Sequence, residues 1–333
     1  MQTESRAQPG ESYLLFDHLP FDYASRLPLP IGSTTDVVRP PFELLDTFDA
    51  GEACFLLPQY GLPTEINHCC LRAGRGLRGY EEVQAALFGA LVRLRLVVPI
   101  PYRVEGQFTL GEDLKPTGVF ALYHVSAPSV GHPKARFTAT HLTQCRAIEE
   151  PLRLWEAVGV RRLLAAFALF SQISSGLVQS RQLAFVGLFS VLEAVFCPQG
   201  SNKARQLALS TARFLTDVPQ SGSLGSAGIG PFVEELYTRV RSKIAHTGFS
   251  PLGSGHGDGG HAARGESFCT LYEVVRGVVC KLIVSDLEVL SVLYASDRSI
   301  RNGLDRLLNL TCPEFGFEAI HLQPIPPDGG LPE

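Results

Sequence analysis

Two kinds of hydrophobic pattern follow one another along the chain. Between residues 41 and 140, short segments rich in β-branched and aromatic residues are bounded by Gly and Pro, which is typical of strands; the last spans residues 135–142. One amphipathic pattern interrupts them and predicts a helix over residues 80–96. Five longer helical patterns follow, near residues 149–177, 180–197, 201–217, 229–247 and 266–295. The sequence therefore predicts an α+β protein, with a mixed α/β region followed by an all-helical bundle.

Changes in polarity suggest where these regions begin and end. Residues 1–40 are polar and carry several prolines, so we expect an irregular N-terminal arm. Residues 41–148 then form a mixed α+β domain, residues 149–310 a helical bundle and residues 311–333 a Pro-rich tail. Inside the bundle, residues 250–265 are small and polar, which predicts a loop.

Composition is typical of a globular protein. The 333 residues are 45% hydrophobic and 19% charged, which is enough to bury a sizeable core. The N-terminus lacks the pattern of a secretory signal, and the most apolar run, residues 163–178, is short for a membrane span. Eight cysteines without CxxC spacing favour buried free thiols. We therefore expect a cytoplasmic protein that does not enter a membrane.

Charge is distributed unevenly along the chain. The formal net charge of −4 argues against bulk binding of nucleic acid. Residues 151–310 nevertheless carry 16 Lys and Arg against 12 Asp and Glu, whereas the rest of the chain carries 13 against 21. A mildly basic helical half permits local contact with phosphate, although such charge also serves solubility alone.

The helical half places one carboxylate in a strongly apolar setting. From Leu183 onward, the helix predicted over residues 180–197 is apolar on nearly all faces, and Glu193 is its single charge. A buried carboxylate without a partner is costly, so Glu193 must be protonated or face a cation. Arg241 lies four residues after Tyr237, at the edge of the apolar stripe of its helix. We expect Arg241 to be the partner of Glu193.

A histidine follows this arginine at a suggestive spacing. His246 lies five residues after Arg241 and two before Gly248, which can close the helix in the left-handed conformation. Five helical residues turn the two side chains roughly 140° apart. They can therefore address one phosphate only if the helix frays or ends at Ala245.

The chemistry of the two side chains suits cleavage of RNA. Histidine transfers protons near neutral pH, and a guanidinium stabilises charge that develops on phosphate oxygens. RNA supplies its own nucleophile, the 2′-hydroxyl, so no metal is obligatory. The spacing of Arg241 and His246 also arises by chance, and a histidine near a helix C-terminus is a favourable partner of the helix dipole.

Three segments follow one another in the helical half of the chain: "FVGLFSVLEAVF", then "SNKARQLALSTARFL", then "FVEELYTRVRSKIAHTG". In this order they resemble the HEPN superfamily, and most closely its ApeA-like branch. The family signature is an Arg followed by a polar residue, with four to six residues between the Arg and a His; this chain has Arg241, Ser242 and His246. It departs from the family where three residues, instead of two, separate Tyr237 from Arg241, and where Thr247 follows the histidine. The resemblance covers about residues 150–295.

The resemblance implies an architecture and an activity. It implies a four- or five-helix bundle that forms a homodimer, so that two Arg–His motifs share one cleft. Such proteins cleave single-stranded RNA without a metal or cofactor, often in defence against phage or in toxin systems. RNA is the implied partner.

The resemblance also implies roles for individual residues. Arg241 would bind the scissile phosphate, His246 would be the general acid or base, and Glu193 would orient Arg241. Ser242 and Tyr237 would be secondary polar groups near the cleft. Weaker candidates for contact with the RNA backbone, for which a solvated helix face is the alternative, are Lys203, Arg205 and Lys243.

Two other functions remain open at this point. Many HEPN proteins have lost activity and act as modules that bind RNA, a nucleotide or a protein partner; the presence of both Arg241 and His246 favours an active enzyme. A hydrolase in the N-terminal half would use His124, His132 or His141, but no Ser or Cys nucleophile motif accompanies them.

Overall fold

A computed structural model of the chain describes residues 8–16, 27–38, 41, 70–74, 76–77, 79–98, 104–120, 138–175, 178, 180–241, 258–312 and 316–323. The chain divides into two compact units. The N-terminal unit comprises Met1–Ala127 and Gly131–Glu149, and the helical unit comprises Pro128–Val130 and Glu150–Glu333. The described residues are mixed α and β, with helices predominating.

An antiparallel sheet of six strands forms the N-terminal unit, in the order β2-β3-β4-β1-β5-β6. Its strands are β1 Ser12–Phe16, β2 Leu29–Pro30, β3 Thr35–Val38, β4 Cys70–Ala73, β5 Val104–Leu110 and β6 Pro116–Phe120. Strand β1 is central, because Ser12 pairs with Ala73 of β4 on one side and Thr109 of β5 on the other.

The irregular arm predicted over residues 1–40 is wrong, because three strands of the sheet lie there. Leu14 and Val37 are fully buried within it. Strands of two to five residues give weak local signals. Strands β1 and β3 both pair with β4, more than 30 residues along the chain, so their burial depends on pairing that the local pattern does not reveal.

The helix predicted over residues 80–96 is confirmed as α1, Tyr80–Val97. The strand predicted over residues 135–142 is wrong, since α2 (Ala139–Val158) begins within it. Thr138 and His141 exchange two bonds at this start: Thr138 Oγ1 accepts from the His141 backbone N–H at 3.3 Å, and His141 Nδ1 accepts from that of Thr138 at 3.1 Å. The threonine that favoured a strand therefore caps a helix.

The helical unit contains most of the described helices. They are α3 Arg161–Ser174, α4 Arg181–Phe196, α5 Lys203–Phe214, α6 Gly225–Leu236, α7 Asp258–Ile283, α8 Leu287–Leu293, α9 Asp297–Asn302 and α10 Leu304–Leu308. Helix α2 has residues in both units.

Two predicted helices are divided in the structure. The pattern at residues 149–177 spans the end of α2 and all of α3, which are separated at Gly159. The pattern at residues 266–295 covers α7 and α8; Asp286 caps α8 through its carboxylate, which accepts from the backbone of Glu288 at 2.8 Å. Helix α7 begins earlier than predicted, so residues 258–265 are helical where a loop was expected.

The predicted tail over residues 311–333 is wrong in its first part, which packs into the helical unit. Strand β8 (Ile320–His321) pairs in parallel with strand β7 (Gln220–Ser221). Ile320 and Leu322 are fully buried. Arg276 of α7 donates to the carbonyls of Glu318 at 3.1 Å and Ala319 at 3.2 Å. Among the described residues, no helix has the length and apolar content needed to cross a membrane.

Candidate functional site

Glu193, the first residue of the candidate site, lies on α4, which runs through the middle of the helical unit. It contacts α3, α5 and α7. Ser180 caps its start, since Oγ accepts from the Leu183 backbone N–H at 3.3 Å, and Cys197 ends it in the left-handed conformation. The buried side chains of α4 are those of Ala184, Phe185, Leu188, Phe189, Val191, Leu192, Val195 and Phe196. The helix is therefore as central as its apolar sequence predicts.

Tyr237 and Arg241, the other two residues of the candidate site, lie on a helical turn that is wider than that of an α-helix. The helix predicted over residues 229–247 begins earlier, as α6, and its α-helical part ends at Leu236. A π-helical turn, Tyr237–Arg241, follows directly. Residues 242–247 lie outside the described residues. Single π-helical turns are rare and frequently mark functional sites, because the widened turn places side chains where an α-helix does not.

The expected pairing of Glu193 with Arg241 is confirmed, and Tyr237 joins it. Arg241 Nη2 lies 2.9 Å from Glu193 Oε1. The Tyr237 hydroxyl donates to the same oxygen at 2.8 Å. The Arg241 guanidinium carbon also lies 5.1 Å from the centroid of the Tyr237 ring. We call these three residues the Glu193 cluster.

Packing fixes the tyrosine within this cluster. The rings of Phe189 and Tyr237 meet edge to face with their centroids 5.3 Å apart. Burial, followed by the hydrogen bond to Glu193, raises the pKa of Tyr237 to about 12. Tyr237 is therefore protonated at neutral pH and remains a hydrogen-bond donor to the carboxylate.

The Glu193 cluster is accessible to solvent. The side chains of Arg241 and Glu193 are 23% and 24% exposed, so the ion pair is not sealed in the core. Arg241 Nε is buried and has no hydrogen-bond partner among the described residues. Because Glu193 binds the guanidinium through Nη2, other N–H groups of Arg241 remain for an incoming anion.

Sequence reasoning missed an arginine that fixes the end of α4. Arg162, on α3, donates from Nε to the carbonyl of Ala194 at 2.6 Å and from Nη2 to that of Glu193 at 3.4 Å. Its Nη1 pairs with Asp297. A basic side chain at a helix C-terminus satisfies carbonyls that have no partner within the helix. Because its partners are backbone atoms and a distant aspartate, no sequence spacing revealed this role.

The other predicted site residues are not part of the Glu193 cluster. Lys203 and Arg205 lie exposed in the first turn of α5 and form no hydrogen bond or ion pair with the cluster. Ser242, Lys243 and His246 lie outside the described residues.

The cluster can bind an oxyanion through a guanidinium that a carboxylate holds in place. Within the described part of the chain, no group of three or more His, Cys, Asp or Glu is placed to hold a metal ion. Comparison with protein-family models, curated proteins and solved structures finds no match to this chain.

Proposed function

We propose that the chain is a metal-independent endoribonuclease of the HEPN type that cleaves single-stranded RNA as a homodimer. The observation that carries this proposal is the contact between Arg241 and Glu193 at 2.9 Å. The resemblance assigns Glu193 the task of orienting the arginine that binds phosphate. A partly exposed guanidinium held by a carboxylate fits that task.

The proposed reaction uses the ribose as its nucleophile. The 2′-hydroxyl loses its proton and attacks the adjacent phosphorus, while the bond from phosphorus to the 5′-oxygen of the next nucleotide breaks. The leaving 5′-oxygen gains a proton, so the products are a 2′,3′-cyclic phosphate and a 5′-hydroxyl. His246 supplies one of the two proton transfers, because histidine is the side-chain type whose ordinary pKa lies near neutral pH.

Arg241 acts on the charge that this reaction creates. Negative charge grows on the non-bridging phosphate oxygens as the 2′-oxygen attacks, and a guanidinium already in position stabilises it without reorganisation. Glu193 holds Arg241 from one side, and the Tyr237 hydroxyl holds Glu193 Oε1 from another. Tyr237 and Glu193 are thus positioning residues for Arg241.

The test compares two arginines of the same π-helical turn. Arg241→Ala removes the proposed phosphate ligand, whereas Arg239→Ala removes an exposed arginine that pairs with Glu235 at 3.1 Å. We expect Arg241→Ala to slow cleavage of a single-stranded RNA by about 100-fold or more, which is typical for loss of one donor to a transition-state oxyanion. Arg239→Ala should cleave RNA at the wild-type rate.

The same assay with His246→Ala separates catalysis from binding. A variant that binds RNA with unchanged affinity but does not cleave it supports a proton-transfer role for His246. If wild type and both the Arg241 and His246 variants cleave RNA equally, the assignment of this site is wrong. If wild type binds RNA without cleaving it, the chain is an inactive binding module.

A further inference from the structure

The turn between β2 and β3 in the N-terminal unit is held rigidly at both ends. Ile31 is fully buried, and its backbone N–H donates to the carbonyl of Thr35 at 3.0 Å. The carbonyl of Thr34 accepts from the backbone N–H of Gly74, just beyond β4, at 2.6 Å. Gly32 and Ser33 therefore have a fixed backbone, and Ser33 is exposed to solvent.

Three polar side chains converge on Gly32. A Cβ atom on Gly32 would lie 2.5 Å from Arg93 Nη2, 2.8 Å from Thr35 Oγ1 and 3.1 Å from Glu149 Oε2. The first two separations are shorter than Cβ contacts normally are, so a side chain at position 32 would displace Arg93 and Thr35 from their present positions. The absence of a Cβ therefore lets a guanidinium, a hydroxyl and a carboxylate approach one another here. The turn is thus the floor of a polar cradle, which we define as Gly32, Ser33, Thr35 and Arg93.

The cradle already binds an anion, the carboxylate of Glu149. The Ser33 backbone N–H donates to Glu149 Oε2 at 2.9 Å, and the Ser33 hydroxyl donates to Glu149 Oε1 at 2.5 Å. One turn residue therefore binds both oxygens of the carboxylate. Both contacts are exposed, so an external anion can reach the same donors from solvent.

The charge of Glu149 only partly compensates the positive charge of Arg93 in the cradle. Burial lowers the pKa of the Arg93 guanidinium, and the charge of Glu149 opposes that change only in part. Arg93 Nε is buried without a hydrogen-bond partner among the described residues, and Nη2 reaches Thr35 Oγ1 only at 3.4 Å. None of the described carboxylates lies within ion-pair distance of this guanidinium. A buried guanidinium without a carboxylate at ion-pair distance is stabilised when an anion comes closer to it.

We propose that the cradle is a binding site for a phosphoryl group, and that Glu149 occupies it when no phosphoryl group is bound. A phosphoryl group carries more oxygens and more charge than a carboxylate, so it can bind Ser33 and the guanidinium of Arg93 at the same time. Backbone N–H groups and hydroxyls of a tight turn are common ligands of phosphate. This site lies in the N-terminal unit and does not depend on RNA cleavage by the helical unit.

The experiment measures phosphate binding by the full chain with isothermal titration calorimetry. The probes are inorganic phosphate and adenosine 5′-monophosphate, which distinguish a free anion from a nucleotide as the source of the group; acetate tests for a carboxylate ligand. Wild type is compared with Glu149→Gln, which removes the competing charge. The matched control is Glu150→Gln, the same change one residue later, where the carboxylate pairs with exposed Arg153.

We expect Glu149→Gln to bind the phosphate probes about 10-fold more tightly than wild type, because the internal competitor has lost its charge. Glu150→Gln should bind with wild-type affinity. Adding Ser33→Ala to Glu149→Gln should weaken binding again, because the hydroxyl donor is lost while the exposed turn remains folded. Thermal unfolding of each variant verifies that it is folded.

Three results would overturn the proposal. Absence of phosphate binding by Glu149→Gln means that the cradle is not a site. Equal affinities for Glu149→Gln and Glu150→Gln mean that only net charge matters. Tighter binding of acetate than of phosphate means that the ligand is a carboxylate.

Discussion

One oxygen atom organises the candidate catalytic site at the scale of single residues. Glu193 Oε1 accepts from both Tyr237 and Arg241. Because the two donors share one acceptor, a change in the position of Glu193 alters both of them. Both side chains are largely buried, so removing either partner would leave the other charge poorly solvated.

The shared acceptor makes a prediction about the ionisation of Tyr237. Burial and the hydrogen bond to Glu193 raise its pKa to about 12, from about 10 in the unfolded chain. A raised pKa stabilises the folded state fully below pH 10, and this stabilisation is lost as pH rises through about 12. Ultraviolet absorbance of tyrosinate measures the ionisation directly.

The control for this measurement is Tyr237→Phe, which removes one tyrosine from the titration. The difference between wild type and Tyr237→Phe should show no ionisation near pH 10. A difference curve with its midpoint at pH 10 would mean that the hydroxyl is neither buried nor bonded to Glu193.

At the scale of secondary structure, the last turn of α4 depends on α3. Arg162 binds the carbonyls of Glu193 and Ala194 and also pairs with Asp297. These contacts attach the end of the helix that carries Glu193. The Glu193 cluster is therefore supported by an arginine that forms no hydrogen bond or ion pair with any of its three side chains.

Replacing this arginine should loosen the helix end. We expect Arg162→Ala to lower the free energy of unfolding by about 2 kcal/mol, because it removes two hydrogen bonds to carbonyls and an ion pair. Arg161→Ala is the matched control, since Arg161 is exposed on the same turn and should change stability by less than about 0.5 kcal/mol. Denaturant unfolding compares the two; equal losses would show that Arg162 does not hold α4.

The sequence predicted the contact between two residues whose charges stand out from apolar surroundings. Glu193 could be paired with Arg241 because one carboxylate in an apolar helix requires a cation, and the motif supplied one. The role of Arg162 could not be predicted in this way, because it binds backbone carbonyls, and every residue has a carbonyl whatever its type. The π-helical turn was also hidden, since residues 237–241 continue the apolar spacing of α6.

The hydrophobic pattern failed mainly to predict the short strands. Strands β1 and β3 have five and four residues, and their burial comes from partners more than 30 positions away. Helix α2 was misjudged at its start, because Thr138 favours a strand by type and caps a helix by position. Long helices such as α1 and α4 were found, since the apolar positions of α1 repeat over several turns and α4 is a long, almost wholly apolar run.

At the scale of the whole molecule, the two proposed anion sites lie in different units. The helical unit carries the mildly basic half of the chain and the partly exposed guanidinium of Arg241. The N-terminal unit carries the cradle around Gly32. The first site is proposed to break a phosphodiester and the second to bind a phosphoryl group, so each can be tested while the other stays intact.

The most direct test of the central claim is the chemistry of the RNA ends that the wild-type chain produces. Single-stranded RNA is incubated with the protein in the presence and absence of EDTA, and the fragments are analysed by mass spectrometry. The proposed site predicts 2′,3′-cyclic phosphate and 5′-hydroxyl ends at the same rate in both conditions. Fragments with 3′-hydroxyl ends, or cleavage that EDTA abolishes, would contradict it.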